Sequence, residues 1–178
     1  MPDNAAFLSP ASIRPIHLQQ DFIMQYTTTP EAATASVQPP QPYHAFITAS
    51  LVPDEERIAF WGRRFGRVRQ WVFLEPQVFA WLDLWSTNYQ GGIWDFHTLS
   101  NGGAFLTPPE LESYLLFNQH NGNEAELSTE ATGIAVCLMT WSHHACRTDS
   151  QVMTEHYYHL RDYALAHPEC RGIMRLID

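Results

Sequence analysis

The sequence contains no lysine. All ten basic residues are arginines, set against nineteen acidic residues, and the formal net charge is −9. A chain of that sign is a poor general binder of nucleic acid and suits a basic protein partner better. Three cysteines, Cys137, Cys146 and Cys170, make an odd number without CxxC spacing, which argues against a disulfide framework or a zinc knuckle. The first twenty residues lack the unbroken apolar core of a secretory signal. The longest apolar-rich run, GIAVCLMTW, is about half the ~20 residues needed to cross a bilayer. No membrane association is expected, and a cytoplasmic protein with reduced thiols is the economical reading. GxGxxG, GxxxxGK[ST] and HExxH are absent too, so no nucleotide or zinc cofactor is implied.

What is present is apolar and aromatic. The chain is 45% hydrophobic and 13% aromatic over 178 residues, enough for one domain with a sizeable core. The proline is unevenly placed: seven of the twelve prolines fall in residues 1–42, among Thr, Ser, Ala and Gln, with no helical or alternating period. That stretch reads as an extended arm or linker, and residues 43–178 as the folded domain. Charge is also segregated. Arg57, Arg63, Arg64, Arg67 and Arg69 fall within thirteen residues, whereas Gln70 to Cys146 holds eight acids and no base.

Within the domain, VPDEERIAFWGRRFG opens on proline and three acids, predicting a helix over about 54–64. RVRQWVFL alternates like a strand. EPQVFAWLDLWSTNYQGG places Val78, Phe79, Leu82, Trp85 and Tyr89 on one helical face, with Pro76 in its first turn and Gly91 after its end. Four of the nine glycines then crowd into residues 91–103. IWDFHTL sets Trp94, Phe96 and Thr98 against Asp95 and His97, and SNGG leads into AFL. Asn101, Gly102 and Gly103 therefore predict a hairpin turn, of type I′ if both central residues take positive φ. A phosphate loop fails on context, since no helix starts after these glycines. SYLLFN and NEAEL, joined through QHNG, predict a second hairpin. Ser128 caps a helix that is apolar nearly all round, Thr148 and Gln151 have capping-box spacing for another, and Pro168 begins a short terminal helix. The fold class is α+β: an antiparallel sheet of hairpins packed by C-terminal helices in two layers.

Catalytic arrangements are weak. His156 and His159 share a helix face, but His143 and His144 are adjacent and diverge, so packed or surface histidines explain the cluster better than a metal site. Cys146 and His144 are two apart on a helix and do not face each other. No catalytic residue is assigned and no metal or cofactor is expected.

Taken in order, LVPDEERIAFWGRRFG, VFAWLD, YQGGIWDFHTLSNGGAFL, TGIAVCLMTWSHHAC and HYYHLRDYALAHPECRGIMRLID resemble the plasmid- and prophage-borne antirestriction proteins of the ArdB/KlcA type. The resemblance runs from about residue 45 to 178 and leaves out the arm. It implies a compact α+β protein without enzyme activity or cofactor that protects incoming DNA from type I restriction-modification enzymes. The acidic DNA-mimicking antirestriction proteins are a different family, and five clustered arginines are poor material for imitating a phosphate ladder. The family carries no catalytic motif, so candidate partner-binding residues come from physics: Trp94, Asp95 and His97 on the hairpin, and Arg63 and Arg64 in the arginine cluster, since Trp and Arg are enriched in interface hot spots. Trp94 could equally be core. The competing function is a nucleic-acid-binding accessory protein of a mobile element using Arg57–Arg69. The restriction subunit touched, the directness of contact and the oligomeric state are not legible.

Overall fold

The computed structural model describes residues 46–178. The proline-rich arm, residues 1–42, lies outside the described residues. The elements in chain order are β1 (Ala49–Leu51), α1 (Asp54–Phe65), α2 (Leu74–Trp85), β2 (Asp95–Leu99), β3 (Ala104–Thr107), β4 (Tyr114–Asn118), β5 (Asn123–Leu127), α3 (Thr129–Thr148), α4 (Gln151–Ala166) and α5 (Cys170–Ile177). The class is α+β. The antiparallel strands are divided between a three-stranded sheet, ordered β1-β2-β3, and the hairpin β4-β5.

Helix α3 is the centre of the molecule. Residues 131–140 are all buried, as its all-round apolar sequence requires. Its start is set by Ser128, whose hydroxyl accepts from the Ala131 amide. One face lies directly on the backbone of β3. Gly133 approaches Leu106 and Thr107 so closely that a β-carbon would sit 2.1 Å from the Leu106 carbonyl oxygen. One turn on, the Leu106 amide meets Cys137 Sγ at 3.3 Å, and a further turn on Trp141 Nε1 donates to the Ala104 carbonyl at 3.4 Å. The i, i+4, i+8 spacing of 133, 137 and 141 is the helical repeat that keeps one seam on a strand. Phe105, between those contacts, stacks instead on Tyr163 of α4 at 5.7 Å, so all four residues of β3 are buried.

Helix α1 lies against β2. Phe60 stacks on Phe96 at 4.8 Å, and Trp61 and Phe65 continue the cluster to Trp141 of α3 at 6.4 and 5.0 Å. In the second hairpin Tyr114, Leu116 and Asn118 turn inward while Leu115 and Phe117 stay exposed. Its turn closes over the end of α5. The Asn118 side chain donates to the Leu176 carbonyl at 2.7 Å, Asn121 to the same oxygen at 3.0 Å, and Asn123 to the Arg175 carbonyl at 2.8 Å. These are carbonyls a helix C-terminus leaves without partners.

Several local expectations are corrected. RVRQWVFL is not a strand: Gln70 has φ 59°, the Val68, Trp71 and Phe73 amides bond three residues back, and Trp71–Phe73 is a single 3-10 turn. Chain reversal, not ladder pairing, satisfies that backbone, and the alternation of Val68 with Arg67 and Arg69 only marks which side chain turns in. Helix α2 stops at Trp85, well before Gly91, and Ser86 then bridges to Leu116. The first hairpin does not use a type I′ turn. Asn101 is not among the positive-φ residues, whereas Gly102 has φ 90°. The Gly102 amide bonds the Leu99 carbonyl and the Leu99 amide bonds the Gly103 carbonyl, giving a three-residue loop with glycine in the left-handed position. The cap of α4 is Ser150, whose hydroxyl accepts from Met153 N; Thr148 ends α3 and its hydroxyl donates to the His144 carbonyl instead.

Candidate interaction surface

The five candidate residues fall in three different places. Trp94 is 3% exposed. Its indole N–H donates to the Tyr89 hydroxyl at 2.9 Å and its ring packs on Phe79 at 4.9 Å. It anchors the glycine-rich loop to α2 and offers nothing to a partner. The apolar neighbours that make tryptophan attractive at an interface have here closed over it.

Asp95 and His97 open onto a groove of about 840 Å3 whose wall also includes Thr107, Glu110, Glu130 and Tyr163. Asp95 is engaged by Arg57 at 3.1 Å. The same guanidinium donates to the Trp94 carbonyl and lies 4.7 Å over the Phe96 ring, so Arg57 clamps α1 to β2. His97 is stacked on Phe105 at 4.7 Å and hydrogen-bonded to the Thr107 hydroxyl at 3.0 Å. Burial lowers its pKa, and the opposing pull of Glu130 and Asp95 is smaller, so the ring is neutral at pH 7. Tyr163 donates to Glu130 Oε1 at 2.5 Å, and burial followed by that bond raises the phenol well above its ordinary range. The groove thus presents carboxylates, a phenol held by Glu130 and a neutral histidine bonded to the Thr107 hydroxyl. Among the described residues, no group of three or more His, Cys, Asp or Glu side chains could hold a metal ion.

Arg63 and Arg64 occupy the last turn of α1, beside Thr98 at the other end of β2. Arg63 bonds Glu56 at 3.1 Å, and Arg64 is exposed. His144 is spent on structure. His144 is fully buried, with Nε2 2.8 Å from the Arg69 carbonyl and Nδ1 3.1 Å from Arg147. The guanidinium can only donate, so Nδ1 accepts and Nε2–H donates: the ring is neutral in one tautomer. Neither nitrogen is left for Cys146. Cys137 is buried, and burial pushes its thiol up to about 12, which removes it as a nucleophile.

Sequence reasoning named Arg67 and Arg69 as part of the arginine cluster but missed that Val72 and Phe73 are exposed beside them. Arg67, Arg69, Val72 and Phe73 are all exposed on one short, turning stretch, a grouping hidden by reading it as a strand.

A model of the family described as antirestriction protein matches residues 87–178. The chain belongs to this family. Relatives in Escherichia coli include the antirestriction protein KlcA, 36% identical over 136 residues that make up 74% of this chain and 95% of the relative. A protein of strain K12, YafX, is 57% identical over 134 residues, 74% of this chain and 88% of its own length. Among solved structures, a chain from the KlcA and ArdB work matches with a TM-score of 0.69 and 30% identity, covering 78% of this chain and 99% of that one. Those proteins are described as having a novel fold and antirestriction activity against type I DNA restriction systems in vivo but not in vitro. The family match includes the hairpin, both helix caps and α5, whereas α1 and the arginine segment precede it. No described helix is long and apolar enough to cross a membrane.

Proposed function

We propose that the chain protects incoming DNA of a plasmid or prophage against type I restriction-modification enzymes, through protein contacts and without catalysis. The observation that carries this reading is the likeness to KlcA and ArdB over nearly the whole of the solved chain. The activity described for those proteins in vivo but not in vitro suits a protein that acts on the restriction system as it operates in the cell, rather than one that occludes a purified enzyme. DNA mimicry is not part of the proposal, because an exposed run of arginines would repel the surface that reads phosphates. The cytoplasm, where restriction enzymes meet entering DNA, is the expected location.

The exposed arginines keep one competitor in view, an accessory protein that binds nucleic acid. Such binding must weaken steeply with salt, in proportion to the phosphates neutralised. The test of the main reading is phage plating. Expression of the chain is expected to let unmodified phage plate efficiently on a host with a type I system and to leave type II restriction unchanged. Unaltered plating on hosts representing several type I families would falsify it.

A further inference from the structure

The segment from Arg64 to Phe73 has features the family reading does not absorb. Arg64, Arg67 and Arg69 are exposed, and among the described residues none of them has a carboxylate within salt-bridge distance. The three pairings near them are taken by Arg57, with Asp54 and Asp95, and by Arg63, with Glu56. Beside the arginines, Val72 and Phe73 are 57% and 50% exposed. Clustered like charge opposes folding and apolar side chains left exposed contribute nothing to it, so a chain that keeps them together gains nothing in stability from doing so.

The segment is also held firmly from below. Phe65, Val68 and Leu74 are buried, pinning it near its start, in its middle and just past its end. The buried His144 donates to the carbonyl of Arg69 at 2.8 Å and is itself held by Arg147. Gln70 follows at φ 59°, a left-handed conformation costly for any residue with a β-carbon. A rigid backbone that presents several arginines and an aromatic ring has the composition of an interface hot spot and loses little entropy on binding.

We infer that residues 64–73 form a docking face for an acidic, partly apolar protein surface. Charge complementarity sets the sign of the partner. The exposed Val72 and Phe73 favour protein over nucleic acid, since a phosphate backbone offers them nothing to bury, and the remaining net negative charge opposes a long polyanion. This is an extension of the antirestriction reading only in that the partner would be met during restriction; the face itself stands on the geometry.

The experiment uses the full chain in two arms. In restricting cells, Arg67→Glu/Arg69→Glu is compared with wild type and with Leu115→Ser/Phe117→Ser on the exposed side of the second hairpin, each shown by melting to be folded. The arginine variant is expected to lose protection by about tenfold or more, the scale of removing hot-spot contacts, while the hairpin variant protects like wild type. Equal protection by the arginine variant overturns the inference and leaves the proposed function standing; a wild type that never protects overturns the proposed function instead. In the second arm, isotope-labelled wild-type protein is titrated in moderate salt with a peptide rich in Glu and Leu, and separately with a DNA duplex of equal charge. Amide shifts concentrated on residues 64–73 with the peptide, absent with the duplex and lost in the arginine variant, are expected. Shifts elsewhere, none at all, the reverse preference, or concentration-dependent shifts of these residues without any probe (a second copy as the occupant) each overturn the inference.

Discussion

Two glycine-to-alanine substitutions in helices should shift stability in opposite directions, for reasons visible only in the packing. Alanine is ordinarily about 1 kcal/mol better than glycine inside a helix, because glycine loses more backbone entropy on folding. Gly62 lies on the exposed side of α1, and a β-carbon added there would meet nothing within 4 Å. Gly62→Ala should therefore realise most of that ~1 kcal/mol and raise the melting temperature by roughly 3–5 °C. Gly133 occupies the seam between α3 and β3. A β-carbon there would lie 2.1 Å from the Leu106 oxygen and 3.0 Å from Thr107 Cα, where ordinary contact begins near 3.4 Å. The neighbours are backbone atoms of a strand buried on all sides, so α3 has to retreat. Retreat stretches the contacts of Cys137 with Leu106 and of Trp141 with Ala104 along the same seam. Overpacking of this kind costs ~3 kcal/mol or more, against the ~1 kcal/mol from propensity, so Gly133→Ala should lose about 2 kcal/mol and some 6–10 °C. Reversible thermal melting followed by circular dichroism, checked with urea unfolding, measures both. A Gly133→Ala protein that melts at or above wild type, or below which Gly62→Ala falls, would refute the close approach of α3 to β3.

Mild acid should weaken the fold. His97, His144 and His156 all have folded-state pKa values below the ordinary 6.5, in each case chiefly through burial, with His159 next in effect at His156. Between those lowered values and ~6.5 the unfolded chain binds more protons, so this contribution is complete above about pH 6.5 and is lost as pH falls below it. Melting temperatures at pH 7.5 and 5.5 check the sign, and a protein more stable at 5.5 would contradict it. At the second hairpin, Asn118→Ala removes the bonds from Asn118 to Leu176 and from the His120 amide to Asn118, at a 1% exposed position. A loss of about 1–3 kcal/mol is expected, with faster amide exchange concentrated in α5; unchanged exchange there would show that the turn does not hold the terminal helix.

Much of the fold was legible because local chemistry and periodicity agreed. The acids before Ile58, the Ser128 cap, the all-round apolar middle of α3 and the paired Asn-Gly signals each act over a few residues and marked α1, α3 and the two hairpins. The misreadings have local causes too. The alternation of Arg67, Val68 and Arg69 looks like a strand, but Gln70 in the left-handed region turns the chain before any ladder can form. Asn101-Gly102 invited a two-residue turn, yet Asn101 Oδ1 accepts from the Gly103 amide and its side-chain nitrogen donates to the His159 carbonyl of α4, which holds a three-residue loop in place.

The sequence by itself determined the class of the fold, the order of its elements from α2 onward and, through segments spread from α1 to α5, membership of the antirestriction family; these depend on short-range propensities and on residues in a recognisable order. Only the tertiary structure decided what each chemically suggestive residue does. Trp94 is core because Phe79 and Tyr89 reach it from α2 and the loop that follows, His144 is a fixed neutral donor because the turn after α1 brings the Arg69 carbonyl to one nitrogen while Arg147 of its own helix holds the other, and Arg57 is a clamp because β2 lies beneath α1. Arg64, Arg67 and Arg69 stay exposed because the acids that surround them in composition are held elsewhere in space, and distance, not count, sets the strength of a charge pair.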